Sequence, residues 1–201
     1  MLLSDDFFKY VRPAQVPYVK LSFEDVLRAA AGADWRYYHA RMLGRRQQWG
    51  EKAGDTIKNE DNGAIAEVAM CLFRGVEWSR EMIEKIGAID CPPFNTRGTV
   101  FFPKYPRMSL MLHEADFKKE LLDVPNALVV LDQRWVDDPR DKSRKVIYAY
   151  FPGWMTGREA QSVARVRCPG EGESVKIKTW DVNLEQLRPM SEEPPATSVA
   201  A

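Results

Sequence analysis

The chain has 201 residues, 45% of them hydrophobic and 29% charged, with 29 basic and 29 acidic side chains and a formal net charge of zero. That composition is ordinary for a globular protein with a real core, and its neutrality excludes a histone-like or membrane-surface polycation while leaving room for a local basic patch. No run approaches the roughly 18 apolar residues needed to span a bilayer, and the N-terminus, with Asp5 and Asp6 near its start, lacks a signal-like pattern, so a cytosolic location is expected. Cys71, Cys91 and Cys168 are odd in number, far apart and never in a CxxC pair, which reads as reduced thiols rather than a disulfide framework or zinc site.

In chain order, the text is helical first and strand-rich later. Residues 1–18 read as an N-terminal extension. From Leu21 to about Gly44, Val26, Leu27, Ala30, Ala33, Tyr37, Ala40 and Met42 keep near-helical spacing; Ser22, three residues before Asp25, is a plausible cap, and Gly32 is a possible break. The polar stretch Gly44–Gly54 reads as a connector, after which Asp61 or Asn62 can cap a helix with the apolar stripe Ile65, Val68, Ala69, Leu72, Phe73 and Val76. Trp78–Ile86 reads as a further short helix, ended by Pro92 and Pro93. Gly98–Phe102, Met108–Leu112, Ala127–Leu131 and Val146–Phe151 are short apolar or β-branched runs that predict consecutive strands of one sheet. Asp137–Lys145 predicts a charged hairpin, Gly153–Ala164 includes a helical turn, and Val175–Trp180 suggests a last strand. The tail from Ser191 is expected to be disordered. The fold class expected is α/β or α+β, with a helical N-terminal half packed on a central mixed β-sheet.

Glu67 is the most informative residue. It lies among Gly63, Ala64, Met70 and Cys71, so its own helix offers no Lys or Arg three or four residues away to pair with it. A carboxylate so placed is either at a core edge or facing a site; the plain alternative is a side chain that reaches back to solvent. His113, Glu114 and Asp116 read as a solvated strand end rather than a site. In Trp35-Arg36-Tyr37-Tyr38-His39-Ala40-Arg41 an aromatic and basic mixture could grip nucleic acid, but an amphipathic helix with packed aromatics and arginines facing water is the reading favoured. Arg134, Arg140, Lys142, Arg144 and Lys145 alternate with Asp132, Asp137, Asp138 and Asp141, which predicts a salt-bridged loop rather than a phosphate-contacting surface.

Val19-Lys20-Leu21-Ser22 with Glu24, the helix Gly63-Ala64-Ile65-Ala66-Glu67-Val68-Ala69, the short strands, Gly153-Trp154-Met155-Thr156-Gly157-Arg158-Glu159-Ala160 and Leu187-Arg188-Pro189-Met190 follow one another in an order that resembles a group of small bacteriophage proteins similar to the PD-(D/E)XK nuclease superfamily. The resemblance covers roughly residues 19 to 190 and implies a single domain with a restriction-endonuclease-like core: a mixed sheet flanked by helices. It also implies a helix Glu, a strand Asp, and then a Glu or Gln followed two residues later by a cation, the carboxylates holding Mg²⁺ to activate water against a phosphodiester. Glu67 matches the helix position. Asn95 stands where the Asp is expected and is the second candidate metal ligand, with Asp90 as a substitute if the register differs. Thr99-Val100-Phe101-Phe102-Pro103 replaces the carboxylate and its cation, so Lys104 is the candidate catalytic cation. Arg45, Arg46, Lys104 and Arg107 are the candidate nucleic-acid contacts. The expectation is a nuclease-fold phage protein in the host cytoplasm that acts on or around DNA, catalytically decayed and serving as an accessory that binds nucleic acid or a host or phage protein. The alternatives are an active Mg²⁺-dependent deoxyribonuclease and a virion or assembly component.

Overall fold

The computed structural model describes residues 16–42, 53–78, 91, 93–101, 108–168, 178–192 and 194, and it is a mixed α+β fold. Nearly all of the N-terminal extension, the connector after Gly44, the expected short helix from Trp78 and most of the tail lie outside the described residues, as do Asp90, Lys104, Arg107, Arg45 and Arg46. The elements are β1 Tyr18–Ser22, α1 Phe23–Met42, α2 Ala53–Arg74, β2 Asn95–Val100, β3 Ser109–His113, β4 Pro125–Asp138, β5 Asp141–Thr156, α3 Gly157–Val163, β6 Arg165–Arg167 and β7 Thr179–Asn183.

Local chemistry accounts for several boundaries. The Ser22 hydroxyl accepts the Asp25 N–H at 3.2 Å while the Asp25 carboxylate accepts the Ser22 N–H at 2.8 Å, a reciprocal cap that starts α1. The helix then runs unbroken through the buried Gly32, because packing against the rest of the protein outweighs the low helix propensity of one glycine. Asp61 and Asn62 do not cap α2. The helix begins two turns earlier, and Asn62 instead accepts from Gln133 Nε2 at 2.6 Å, tying α2 to β4. Thr156 caps α3, exchanging hydrogen bonds with Glu159.

The strands divide between two sheets rather than forming one. The larger has order β1-β5-β4-β2, with β2 parallel to β4 and the other pairs antiparallel; the smaller is antiparallel, with order β3-β7-β6. Thus β1, ahead of the helices, joins the large sheet, and β3 leaves it. Alternation along β4 and β5 explains why both faces need cover: Ala127, Val129, Leu131, Ile147, Ala149 and Phe151 face α1 and α2, whereas Leu128, Val130, Val146, Tyr148 and Tyr150 face the small sheet through Leu110, Leu112 and Val182. Two apolar layers therefore sandwich the large sheet.

The helix layer sits close because its residues are small. Ala64, Ala66 and Ala69 are fully buried, and Gly98 of β2 lies so near α2 that a Cβ there would stand 2.7 Å from both the Asn62 carbonyl oxygen and the Ala66 Cβ. At the opposite end, Trp154 and Arg188 exchange backbone hydrogen bonds of 2.9 and 3.0 Å, bringing the Gly153–Ala160 segment beside Leu187–Met190. Gly153 is required there, since an added Cβ would overlap the Arg188 carbonyl.

Candidate functional site

Glu67 is buried, with 6% of its surface exposed, and it is not unpaired. Both of its carboxylate oxygens receive the guanidinium of Arg36, Nη1 to Oε1 at 2.5 Å and Nη2 to Oε2 closer still. The partner comes from α1, the neighbouring helix, so the expectation of a carboxylate without a partner is corrected. The spacing rule for charge pairs tests one helix, whereas this pair closes between two. Arg36 is corrected with it: its guanidinium turns into the helix–helix seam rather than to water. A two-pronged Arg–carboxylate contact supplies the geometry and hydrogen bonds that make burial of both charges tolerable. In the same segment Tyr37 is buried, Tyr38 is exposed, and the Trp35 and His39 rings stack at 4.5 Å.

Asn95 opens β2, and alternation puts it on the far side of the sheet from Glu67. Gly98 faces α2, so Asn95, three residues earlier in a strand without a bulge, faces the small sheet. It lies opposite Asn126, whose Nδ2 donates to the Val124 carbonyl at 3.1 Å and whose buried Oδ1 has no hydrogen-bond partner among the described residues. The expected metal pair is thus not brought together: Glu67 is held by a guanidinium in the helix layer, and Asn95 lies across the sheet. These two residues do not fit a Mg²⁺ site. Among the described residues no group of three or more His, Cys, Asp or Glu could hold a metal ion.

A different polar cluster forms on the face of the small sheet opposite Leu110, Leu112 and Val182, joined to the large sheet through Arg97. Asp116, on the one-turn helix after β3, is almost fully buried; its carboxylate accepts the His113 N–H at 2.8 Å and receives Nη2 of Arg97 from β2. Residues directly opposite in an antiparallel pair share a face, so His113, Thr179 and Arg167 form one row and Met111, Asp181 and Arg165 the next. Arg167 pairs with Asp181 at 3.2 Å. Among the described residues, Arg97 Nε, Thr179 Oγ1 and Asp181 Oδ1 are buried without hydrogen-bond partners. The reading of His113 and Asp116 as a solvated strand end is therefore corrected for Asp116, although Glu114 is exposed. The signal was visible as His113-x-x-Asp116, the spacing of a reciprocal cap, but Arg97, Thr179 and Asp181 carried none.

Burial pushes the His113 imidazole below its ordinary value of 6.5, and the Arg97 charge adds to this, against the opposing pull of Asp116 and Asp181. A histidine held low takes up its proton later in the folded chain than in the unfolded one. Its contribution to stability is therefore complete above pH 6.5 and declines as the pH falls below that value. Replacing His113 by Gln is expected to flatten the fall in unfolding free energy between about pH 7 and pH 5, measured by urea titration at a series of pH values; an unchanged slope would place the acid sensitivity elsewhere.

Several charges of the β4–β5 hairpin are paired, within it or with β1. Lys145 meets Asp137 at 2.6 Å, Arg144 meets Asp141 at 3.2 Å, Arg134 meets Asp132 at 2.6 Å, and Lys20 of β1 reaches Asp138 at 3.0 Å. Of the cations expected to touch nucleic acid, none lies within the described residues. No helix of the described residues is long and apolar enough to cross a membrane. Compared with known proteins, the chain matches no family model, no curated protein and no solved structure.

Proposed function

We propose that this chain is a nuclease-like accessory protein that acts on or around DNA by binding, not by hydrolysis. One observation carries the reading: the helix carboxylate Glu67, which a PD-(D/E)XK-type enzyme would present to a divalent metal, is occupied on both oxygens by Arg36. A carboxylate neutralised in this way has little to offer Mg²⁺, whose binding depends on negatively charged oxygen ligands free to complete an octahedral shell. The placement of Asn95 across the sheet supports the same conclusion. The DNA part of the reading rests on the resemblance of the ordered segments between residues 19 and 190 to the phage group, for which the host cytoplasm is the working location.

Wild-type protein incubated with single- and double-stranded DNA in Mg²⁺ or Mn²⁺ is expected to leave the substrate intact. Fluorescence anisotropy with the same DNA in EDTA is expected to show binding that weakens as salt rises. Divalent-dependent cleavage by wild type, lost in Glu67→Gln, would overturn the non-hydrolytic reading. Intact DNA and no binding at low salt would move the partner from nucleic acid to a host or phage protein.

A further inference from the structure

Two ion pairs on the face of the small sheet turned away from Leu110, Leu112 and Val182 are built alike, with the guanidinium outside and the acid deeper. Arg97 has 28% of its side chain exposed where Asp116 has 2%, and Arg167 has 31% where Asp181 has 15%. Arg165 lies on the same face, two residues before Arg167 and directly opposite Asp181; it is exposed and forms no ion pair among the described residues. Three guanidinium groups therefore reach the surface of this face above two carboxylates. Glu114, next in the chain after His113, is not among the described charges that act on the His113 ring, which are those of Arg97, Asp116 and Asp181.

The side chains select the partner. Met111 is the one apolar side chain that β3, β6 and β7 place on this face, since Val166, Trp180 and Val182 alternate to the other. A protein partner needs apolar or aromatic anchors at the centre of its contact, and stacked bases need aromatic platforms; this face offers neither. What it offers is donors. Thr179, in the row between His113 and Arg167, is 3% exposed, and neither its Oγ1 nor Arg97 Nε has a hydrogen-bond partner among the described residues. Phosphate oxygens, which are charged and only accept, match guanidinium groups backed by a hydroxyl.

We propose that this outer face of the small sheet, through Arg97, Arg165 and Arg167 with Thr179 beneath them, grips the phosphodiester backbone of DNA without reading its bases. The inference rests on the DNA reading above and gives it a surface within the described residues. Fluorescence anisotropy with duplex DNA between about 50 and 200 mM salt measures how steeply log affinity falls with log salt. Arg165→Gln combined with Arg167→Gln is expected to reduce that slope by about 1.8, so that affinity falls about tenfold less than in wild type over this range, with an unchanged far-UV circular dichroism spectrum. Arg165→Lys with Arg167→Lys keeps both charges and is expected to hold the wild-type slope, which a merely structural role of the two guanidinium groups would not produce. Two duplexes of unrelated sequence are expected to bind alike. Arg144→Gln, an exposed change on the β4–β5 hairpin, is expected to leave the slope as it is. A wild-type slope in the glutamine pair, or an equal reduction in Arg144→Gln, would overturn this surface and leave the DNA reading standing; no wild-type binding at low salt would overturn both.

Discussion

Glu67→Ala is expected to lower the unfolding free energy by about 3–5 kcal/mol, because it leaves the Arg36 guanidinium in the α1–α2 seam with its two best acceptors removed. The loss comes less from the attraction destroyed than from the charge left uncompensated where water reaches poorly. The same reasoning predicts that Arg36→Met combined with Glu67→Leu recovers most of the stability, since two apolar side chains of similar volume need no partner. Urea unfolding of wild type, Arg36→Met, Glu67→Leu and the double variant measures the coupling directly. Additive losses in the double variant would show that the pair is not what holds the two helices in register, and that Glu67 contributes in some other way.

Asp116→Ala is expected to cost about 3 kcal/mol. The carboxylate serves two elements at once: it accepts the His113 N–H that turns the chain after β3, and it holds the guanidinium of Arg97 from β2. Removing it takes from the His113 N–H and from Nη2 of Arg97 the carboxylate both donate to, leaving the Arg97 charge to the weaker Thr96 carbonyl at 3.2 Å. Asp116→Asn keeps the shape and one acceptor oxygen, so it should recover part of the loss. Hydrogen exchange of β3 and β7 amides offers a second readout: opening confined to the small sheet is expected, and uniform destabilisation of β4 and β5 alike would contradict the role of Asp116 as a local clamp.

Much of the local structure was legible because its causes are local. The Ser22–Asp25 cap, the apolar periodicity of both long helices, the Asp137–Lys145 hairpin and the helical turn after Thr156 each announce themselves within a few residues. The boundary of α2 was misplaced because Asp61 and Asn62 are good caps in isolation, yet here they lie within a helix packed against β2 and β4. The division into two sheets was not legible. The run Met108–Leu112 has the same pattern whether its strand joins β4 or lies across from it, since burial on one face is all that alternation reports.

The candidate site divides along the same line. Residue order alone establishes that Glu67 sits on a small-residue helix without a charge partner on its own turns; it starts the strand at Gly98, three residues later than the Asn95 at which β2 begins. It cannot say which face of the sheet each occupies, or that Arg36, 31 positions upstream, closes on the carboxylate. Those facts follow from how α1 and α2 pack and from the register of β2 on β4, which depend on contacts between residues far apart in the chain and leave no periodic trace in it. Periodicity names the face a side chain shares with its own neighbours; packing between elements chooses what that face meets, and here that choice turned an apparent metal ligand into half of a buried ion pair.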